Sequence, residues 1–357
     1  MTLQVLRGLA ALIVVFGHVS MVVVDRFQLK PLPRFIDAGG IGVDVFFCLS
    51  GFIMYYTSHR EIGVRGAAAE FLTRRLLRIY PLYWVVTLSA LLVEVLDPRL
   101  ISSWKQSPGF VLKSLLLLPQ NVSPLISPAW TLVHEVKFYA IFAALMLFPL
   151  RLAKVGLAVW MMGSFVVLLM SLFGIDWLTR SIAGRAVNYI WHPASLEFGA
   201  GIVAAWVVLR IRTAAWVDAC LFALGLGAVI VLMQFNSFFK PDTKYFAVIM
   251  YVVPTFLLVL GATLVERRWK PVIPRVLTFL GDASYSTYLT HFVLIPTLVW
   301  HAIPAGATQG LCTLLTCLFA IGLHGVGALT HWSLEAPMHR WSREWARSRW
   351  VKGSTAR

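Results

Sequence analysis

The chain is short of charge. Only 13% of its 357 residues are Asp, Glu, Lys or Arg, against about 25% in an ordinary globular domain, and that deficit excludes a soluble fold. Cysteine is scarce as well: Cys48, Cys220, Cys312 and Cys317 all lie in apolar stretches. Their spacing matches neither a metal-ligand pattern nor an extracellular disulfide framework, so they read as small buried apolar side chains and no metal is expected. Internal repeats, low-complexity segments and Gly-rich phosphate loops are missing. The first apolar stretch has no basic leader and no small-residue cleavage site, and it is too long for a signal-peptide core, so it is expected to remain in the protein. No soluble domain is expected to flank the apolar part.

What the chain has in excess is apolar: 59% of its residues. Nearly uncharged runs of about 20 residues recur along its length, and each is long enough to cross the hydrocarbon of a bilayer. The pattern predicts an all-α polytopic membrane helix bundle of about ten transmembrane helices, near 3–24, 39–58, 80–98, 128–149, 155–174, 188–209, 215–235, 245–265, 276–301 and 307–332. The run Phe110 to Leu118 is too short to span and reads as interfacial or re-entrant. A net charge of +15 would suit nucleic acid, but its placement points elsewhere. With the N-terminus inside, 19 of the 31 Lys and Arg residues fall in cytoplasmic loops and the C-terminal tail and 10 fall outside, leaving Arg7 and Lys137 in helices. By the positive-inside rule the topology is N-in and C-in. One membrane domain, 1–337, is followed by a basic cytoplasmic tail, 338–357, suited to anionic lipid headgroups.

A charge near the bilayer centre costs about 2.5–3.5 kcal/mol on insertion scales, so the charges that do enter the helices call for a reason. Arg7 and His18 share the first helix. Eleven residues at about 100° each bring them back to one face, about 16 Å apart along the axis. Counting down from the outer helix ends places His18, Asp44 and Glu135 at one level, roughly 8–10 Å below the outer boundary. A carboxylate beside an imidazole supports both groups, so the pattern predicts an Asp44–His18 or Glu135–His18 dyad with His18 as general base. On the inside loop, Arg75 and Arg78 are spaced i, i+3 and Arg74 and Arg78 i, i+4 on a helix face. Guanidiniums bind phosphate bidentately, which fits a phosphorylated ligand, although plain positive-inside anchoring accounts for the same residues. Glu197 suits a cavity wall, His291 reads as helix packing, and His331 and Glu335 are expected near headgroups or a helix end.

Several segments together resemble the acyltransferase-3 family of integral membrane O-acyltransferases. They are Leu6-Arg-Gly-Leu-Ala-Ala-Leu12 leading to His18, and Gly40-Ile-Gly-Val-Asp-Val-Phe-Phe-Cys-Leu-Ser-Gly-Phe52. Next come Arg75-Leu-Leu-Arg78 before Ile79-Tyr-Pro81, and Ala129-Trp-Thr-Leu-Val-His-Glu-Val-Lys-Phe-Tyr139. Leu196-Glu-Phe-Gly199, the run from Leu280 to His291, and Glu335-Ala-Pro337 complete the set, in family order. The Trp130-Thr-Leu132 form and the Glu197-Phe198 segment are closest to the exopolysaccharide-acetylating branch. Val136 and Ala336 depart from the family pattern, which often carries an acidic and a basic residue there.

The resemblance implies transfer of an acyl group, usually acetyl, from acyl-CoA to a saccharide hydroxyl in the bacterial cytoplasmic (inner) membrane. It marks Arg7, His18, Arg75 and Arg78 as functional. Acyl-CoA is then the donor substrate, with acetyl-CoA the usual one, and no cofactor is permanently bound. The partners are a saccharide or lipid-linked saccharide acceptor and membrane lipid, with no nucleic acid. Trp130, Tyr139 and Ser50 are candidate oxyanion donors. A secondary transporter or flippase of lipid-linked saccharide is the competing class, since intramembrane ionisable residues also mark substrate paths. Matching halves with interrupted helices, common in transporters, are not found here. A non-catalytic assembly subunit is the third class.

Overall fold

The computed structural model describes residues 1–33, 40–96, 107–175, 177, 181–235 and 246–354. Parts of the connections expected on the outer side, at 34–39, 97–106, 178–180 and 236–245, therefore lie outside the described residues. The described residues form helices and connecting turns, without strands. The helices are α1 (Thr2–Phe27), α2 (Ile41–Ser58), α3 (Ala67–Leu96), α4 (Pro108–Leu115), α5 (Trp130–Met146), α6 (Leu150–Leu172) and α7 (Ile182–Ile190). They continue with α8 (Ser195–Arg210), α9 (Ala215–Phe235), α10 (Phe246–Trp269), α11 (Arg275–Asp282), α12 (Ser284–Ala302), α13 (Gln309–Thr330) and α14 (Ala336–Ser354). Among the described residues, nine helical segments are long and apolar enough to cross a membrane. The 19 residues of α12 reach about 28 Å, also enough to span, but its first half is polar.

The protein is thus a multi-pass helical membrane protein, with four differences from the sequence reading. First, α3 begins at Ala67 instead of residue 80 and passes through Pro81 without ending, so Arg74, Arg75 and Arg78 sit on a long helix instead of a loop. A proline inside a membrane helix is tolerated where neighbours satisfy the backbone it frees. The connection expected inside shrinks to eight residues at 59–66 and turns on Gly63 and Gly66, at φ 82° and 85°, a left-handed conformation that side chains disfavour. Second, the helix expected over 188–209 is broken between α7 and α8, where Pro193 disfavours helical geometry at His192. Third, the helix expected over 276–301 is broken at Ala283 into α11 and α12. Fourth, the basic tail is helical through Ser354: α13 passes through a π-helical turn at His331–Glu335 into α14.

The chain divides into two compact units. The first contains 1–10, 34–67 and 144–281. Its centre is the crossing of α2 with α8, flanked by α10, which also packs on α9. Glycines set these approaches. A Cβ added at Gly51 would lie 1.9 Å from the Phe198 carbonyl oxygen, and one at Gly201 1.9 Å from that of Cys48. Small residues let membrane helices touch backbone to backbone, where dispersion replaces the missing hydrophobic drive.

The second unit contains 11–33, 68–143 and 282–357. Val15, Val19 and Val23 of α1 pack against Ile295, Val299 and Ile303 and against Cys312, Ala320 and Leu323 of α13. The residues of the first two sets recur at i+4 and those of α13 at i+8 and i+3, each the apolar stripe of one helix face. The short helix α4 ends within this unit, against α3. Its terminal carbonyls at Ser114, Leu115 and Leu116 accept hydrogen bonds from Tyr83 Oη (2.6 Å), Trp84 Nε1 (2.9 Å) and Tyr80 Oη (2.8 Å). Helix ends leave carbonyls unpaired, and in a membrane only protein can satisfy them.

Candidate active site

His18 lies half-buried on α1, and its ring stacks on that of His291 from α12, centroids 5.1 Å apart and planes 28° apart. Its Nδ1 is 3.0 Å from His291 Nε2. His291 is fully buried, and its own Nδ1 is 3.0 Å from the Thr287 carbonyl oxygen one turn earlier. Phe292 stands edge-on to both rings. Among the described residues, the hydrogen-bond partner of His18 is therefore an imidazole, where the sequence led us to expect a carboxylate. His291 was missed because a polar residue in a hydroxyl-rich helix segment is ordinarily packing. A signal was available. Counted from the end where Val23 and Ile303 pack together, His18 is nine residues from Phe27 and His291 eleven from Ala302.

Glu135 belongs elsewhere. The depth argument had α5 start at the outer boundary, level with the end of α1. Instead Pro128 O accepts from Tyr288 Oη at 3.0 Å and Thr131 Oγ1 lies 2.9 Å from the same hydroxyl, one turn nearer the start of α12 than His291. From there α5 runs away from His291. Glu135 accepts the hydroxyl of Tyr139 and lies within electrostatic range of Arg75 and Tyr285. Tyr285 Oη in turn donates to Ile79 O at 2.8 Å, beside Arg78. The carboxylate expected beside His18 thus sits among the arginines. Tyr139, a candidate oxyanion donor, has its hydroxyl directed at Glu135. Trp130 is 40% exposed, edge-on to His134.

The arginines occupy three environments. Arg74 is exposed and pairs with Glu70 at 2.7 Å. Arg75 is half-buried, its guanidinium 5.4 Å from the Phe71 ring centre and 5.7 Å from that of Tyr139. Arg78 is half-buried, and its guanidinium has no hydrogen bond or ion pair to any described residue. Glu335 is buried instead of facing headgroups: it accepts from Ser286 Oγ at 2.6 Å and His331 Nδ1 at 2.8 Å. His339 lies 4.0 Å from it and 3.4 Å from the Arg78 carbonyl oxygen.

In the first unit, Asp44 and Glu197 are buried within electrostatic range of each other where α2 crosses α8, near Cys48. Neither carboxyl oxygen of Glu197 meets a hydrogen-bond donor among the described residues. Arg7 Nη1 donates to Gln4 Oε1 at 2.9 Å. All four cysteines are free; Cys48 and Cys312 are buried as expected, while Cys220 is exposed on the apolar surface of α9. Among the described residues, no three His, Cys, Asp or Glu side chains are grouped to hold a metal ion.

Comparison with known proteins connects these features to an activity. The exopolysaccharide production protein ExoZ of Rhizobium meliloti is 32% identical over 327 residues, 85% of this chain and 91% of its own. The acyltransferase MdmB of Streptomyces mycarofaciens is 27% identical over 81% of this chain and 77% of its own. No solved structure matches the chain. The model of the acyltransferase-3 family, described as an acyltransferase domain, matches residues 2–331, and the chain belongs to that family as a multi-pass membrane acyltransferase.

Proposed function

We propose that the protein transfers an acyl group, most simply acetyl, from acyl-CoA to a hydroxyl of an exported or lipid-linked saccharide at the bacterial cytoplasmic membrane. The observation that carries this reading is the family match over residues 2–331, supported by a relative named for exopolysaccharide production. The N-terminus, the start of α3 and the basic helix α14 face the cytoplasm, where Lys and Arg are concentrated. There Arg78, with no anion on its guanidinium among the described residues, and Arg75 take the phosphates of CoA, with Arg74 at the rim. The basic tail from Arg340 onward, with six cations in the sequence, suits anionic headgroups.

His18 acts as the base. Its free ring nitrogen accepts the proton of the saccharide hydroxyl as that oxygen attacks the thioester carbonyl. The carbon–sulfur bond breaks, and the CoA thiolate leaves and takes up a proton, giving an ester and free CoA. An acyl-His18 intermediate divides the same reaction into two steps. Arg7 lies eleven residues before His18 on the same helix, α1. Asp44, buried with Glu197, orders the neighbouring helices.

The test is label transfer from acetyl-CoA to saccharide in vesicles containing the purified protein. His18→Ala should abolish transfer, by 100-fold or more on the order expected of a general base. Near-normal transfer by that variant, or uptake of saccharide without acylation, would overturn the assignment.

A further inference from the structure

The two stacked imidazoles form a directed chain. Thr287 O is a carbonyl and only accepts, so His291 Nδ1, 3.0 Å away, carries a hydrogen and donates. With the fully buried His291 neutral, the state such a ring keeps at least cost, its Nε2 carries a lone pair. His18 Nδ1, 3.0 Å from that lone pair, must therefore be the N–H partner. Neutral His18 then has its one remaining lone pair on Nε2. From these contacts we infer that His291 is a positioning residue for the acyl transfer: it fixes His18 as the Nδ1–H tautomer and aims Nε2 at the substrate hydroxyl. This rests on the proposed role of His18 as base and deepens it.

The chain also acts at the moment of reaction. When His18 Nε2 takes the hydroxyl proton, the ring becomes an imidazolium, and its Nδ1–H bond to His291 Nε2 becomes charge-assisted. Such bonds are roughly twice as strong as neutral ones, so His291 stabilises the charged form more than the resting form. A buried carboxylate supplies this function in serine-hydrolase triads. Here a neutral acceptor does so, and no buried anion has to be sustained in the membrane interior. The packing makes the geometry specific. Phe292 walls both rings, Tyr288 lies 5.8 Å from the His291 ring, and the i−4 bond to Thr287 fixes the ring on its own helix. His324 of α13, the other imidazole within electrostatic range of His291, has its Nδ1 2.8 Å from Ala320 O.

The experiment compares three chains in vesicles, with acetyl-CoA as donor and saccharide acylation followed by label transfer. His291→Phe keeps an aromatic ring but removes the acceptor, and it should lower kcat by about 100-fold with KM for acetyl-CoA within about twofold. His291→Gln places an amide oxygen near the lost nitrogen and should recover to within about tenfold of the original kcat. If the phenylalanine chain fails to insert, His291→Leu takes its place, with a monodisperse elution profile in detergent as the folding control. Unchanged kcat in His291→Phe or His291→Leu would overturn the inference, and so would a glutamine variant no better than they are. His18→Ala separates the two claims. Loss of transfer there, with full activity in His291→Phe, sinks only the positioning role; activity in His18→Ala sinks the base itself.

Discussion

The two units solve the same problem, burying polar groups in a membrane protein, by different means. In the first unit, α2 and α8 cross with glycine against carbonyl, and the buried Glu197, beside Asp44, meets no hydrogen-bond donor among the described residues. In the second, polar side chains donate to backbone carbonyls: Tyr80, Tyr83 and Trp84 at the end of α4, Tyr285 to Ile79, and Tyr288 to Pro128. Backbone-to-backbone packing permits no added atom. Side-chain capping tolerates loss of one donor at modest cost, and it leaves irregular backbone at depth, which membranes permit only where protein or a cavity satisfies it. The candidate catalytic imidazoles and the arginine pair both lie in the second unit.

The comparison is broken most severely at the glycines. Gly201→Ala drives a Cβ onto the Cys48 carbonyl oxygen, so it should cost more than about 3 kcal/mol, the upper range of overpacking. The readout is loss of the monodisperse detergent-solubilised protein; a chain of unchanged stability would show that the crossing is looser than described. Next, Arg75→Ala with Arg78→Ala should raise KM for acyl-CoA by at least tenfold while leaving the bundle folded. Binding of CoA to immobilised protein checks this, and unchanged affinity would return both residues to simple anchoring. Tyr83→Phe removes one of two donors from the Ser114 carbonyl oxygen, which keeps the Leu117 N–H at 3.0 Å, and should destabilise by about 0.5–1.5 kcal/mol, the net worth of one hydrogen bond. A thermal midpoint identical to the parent would mean that another donor replaces it. The smallest effect is at Lys270, exposed just past α10 at φ 43°. Lys270→Gly should be neutral to about 1 kcal/mol stabilising, since glycine adopts that conformation without strain. A clear loss of stability would assign the lysine side chain a contact of its own.

Much of this architecture is legible in residue order alone. Hydropathy runs place α1, α2, α6, α9, α10 and α13 within a few residues, because crossing hydrocarbon imposes length and composition on each helix separately. Arg75 and Arg78 are equally legible, since i, i+3 spacing on a helix needs no tertiary information. The pairing of His18 was not. Depth counting assumes that each helix starts at a boundary, and α5 does not: its start is fixed by Tyr288, inside the second unit.

The sequence by itself determined the class of protein, the span of most helices, the cluster of cations and which ionisable residues enter the membrane. Each of these follows from local composition acting through transfer free energy and helical period. Only the tertiary structure decided the partners: His291 for His18, the arginines for Glu135 and Glu197 for Asp44. A hydrogen bond has a reach of about 3 Å, and the level at which two helices meet is fixed by packing and by the turns between them, which periodicity along one chain does not record.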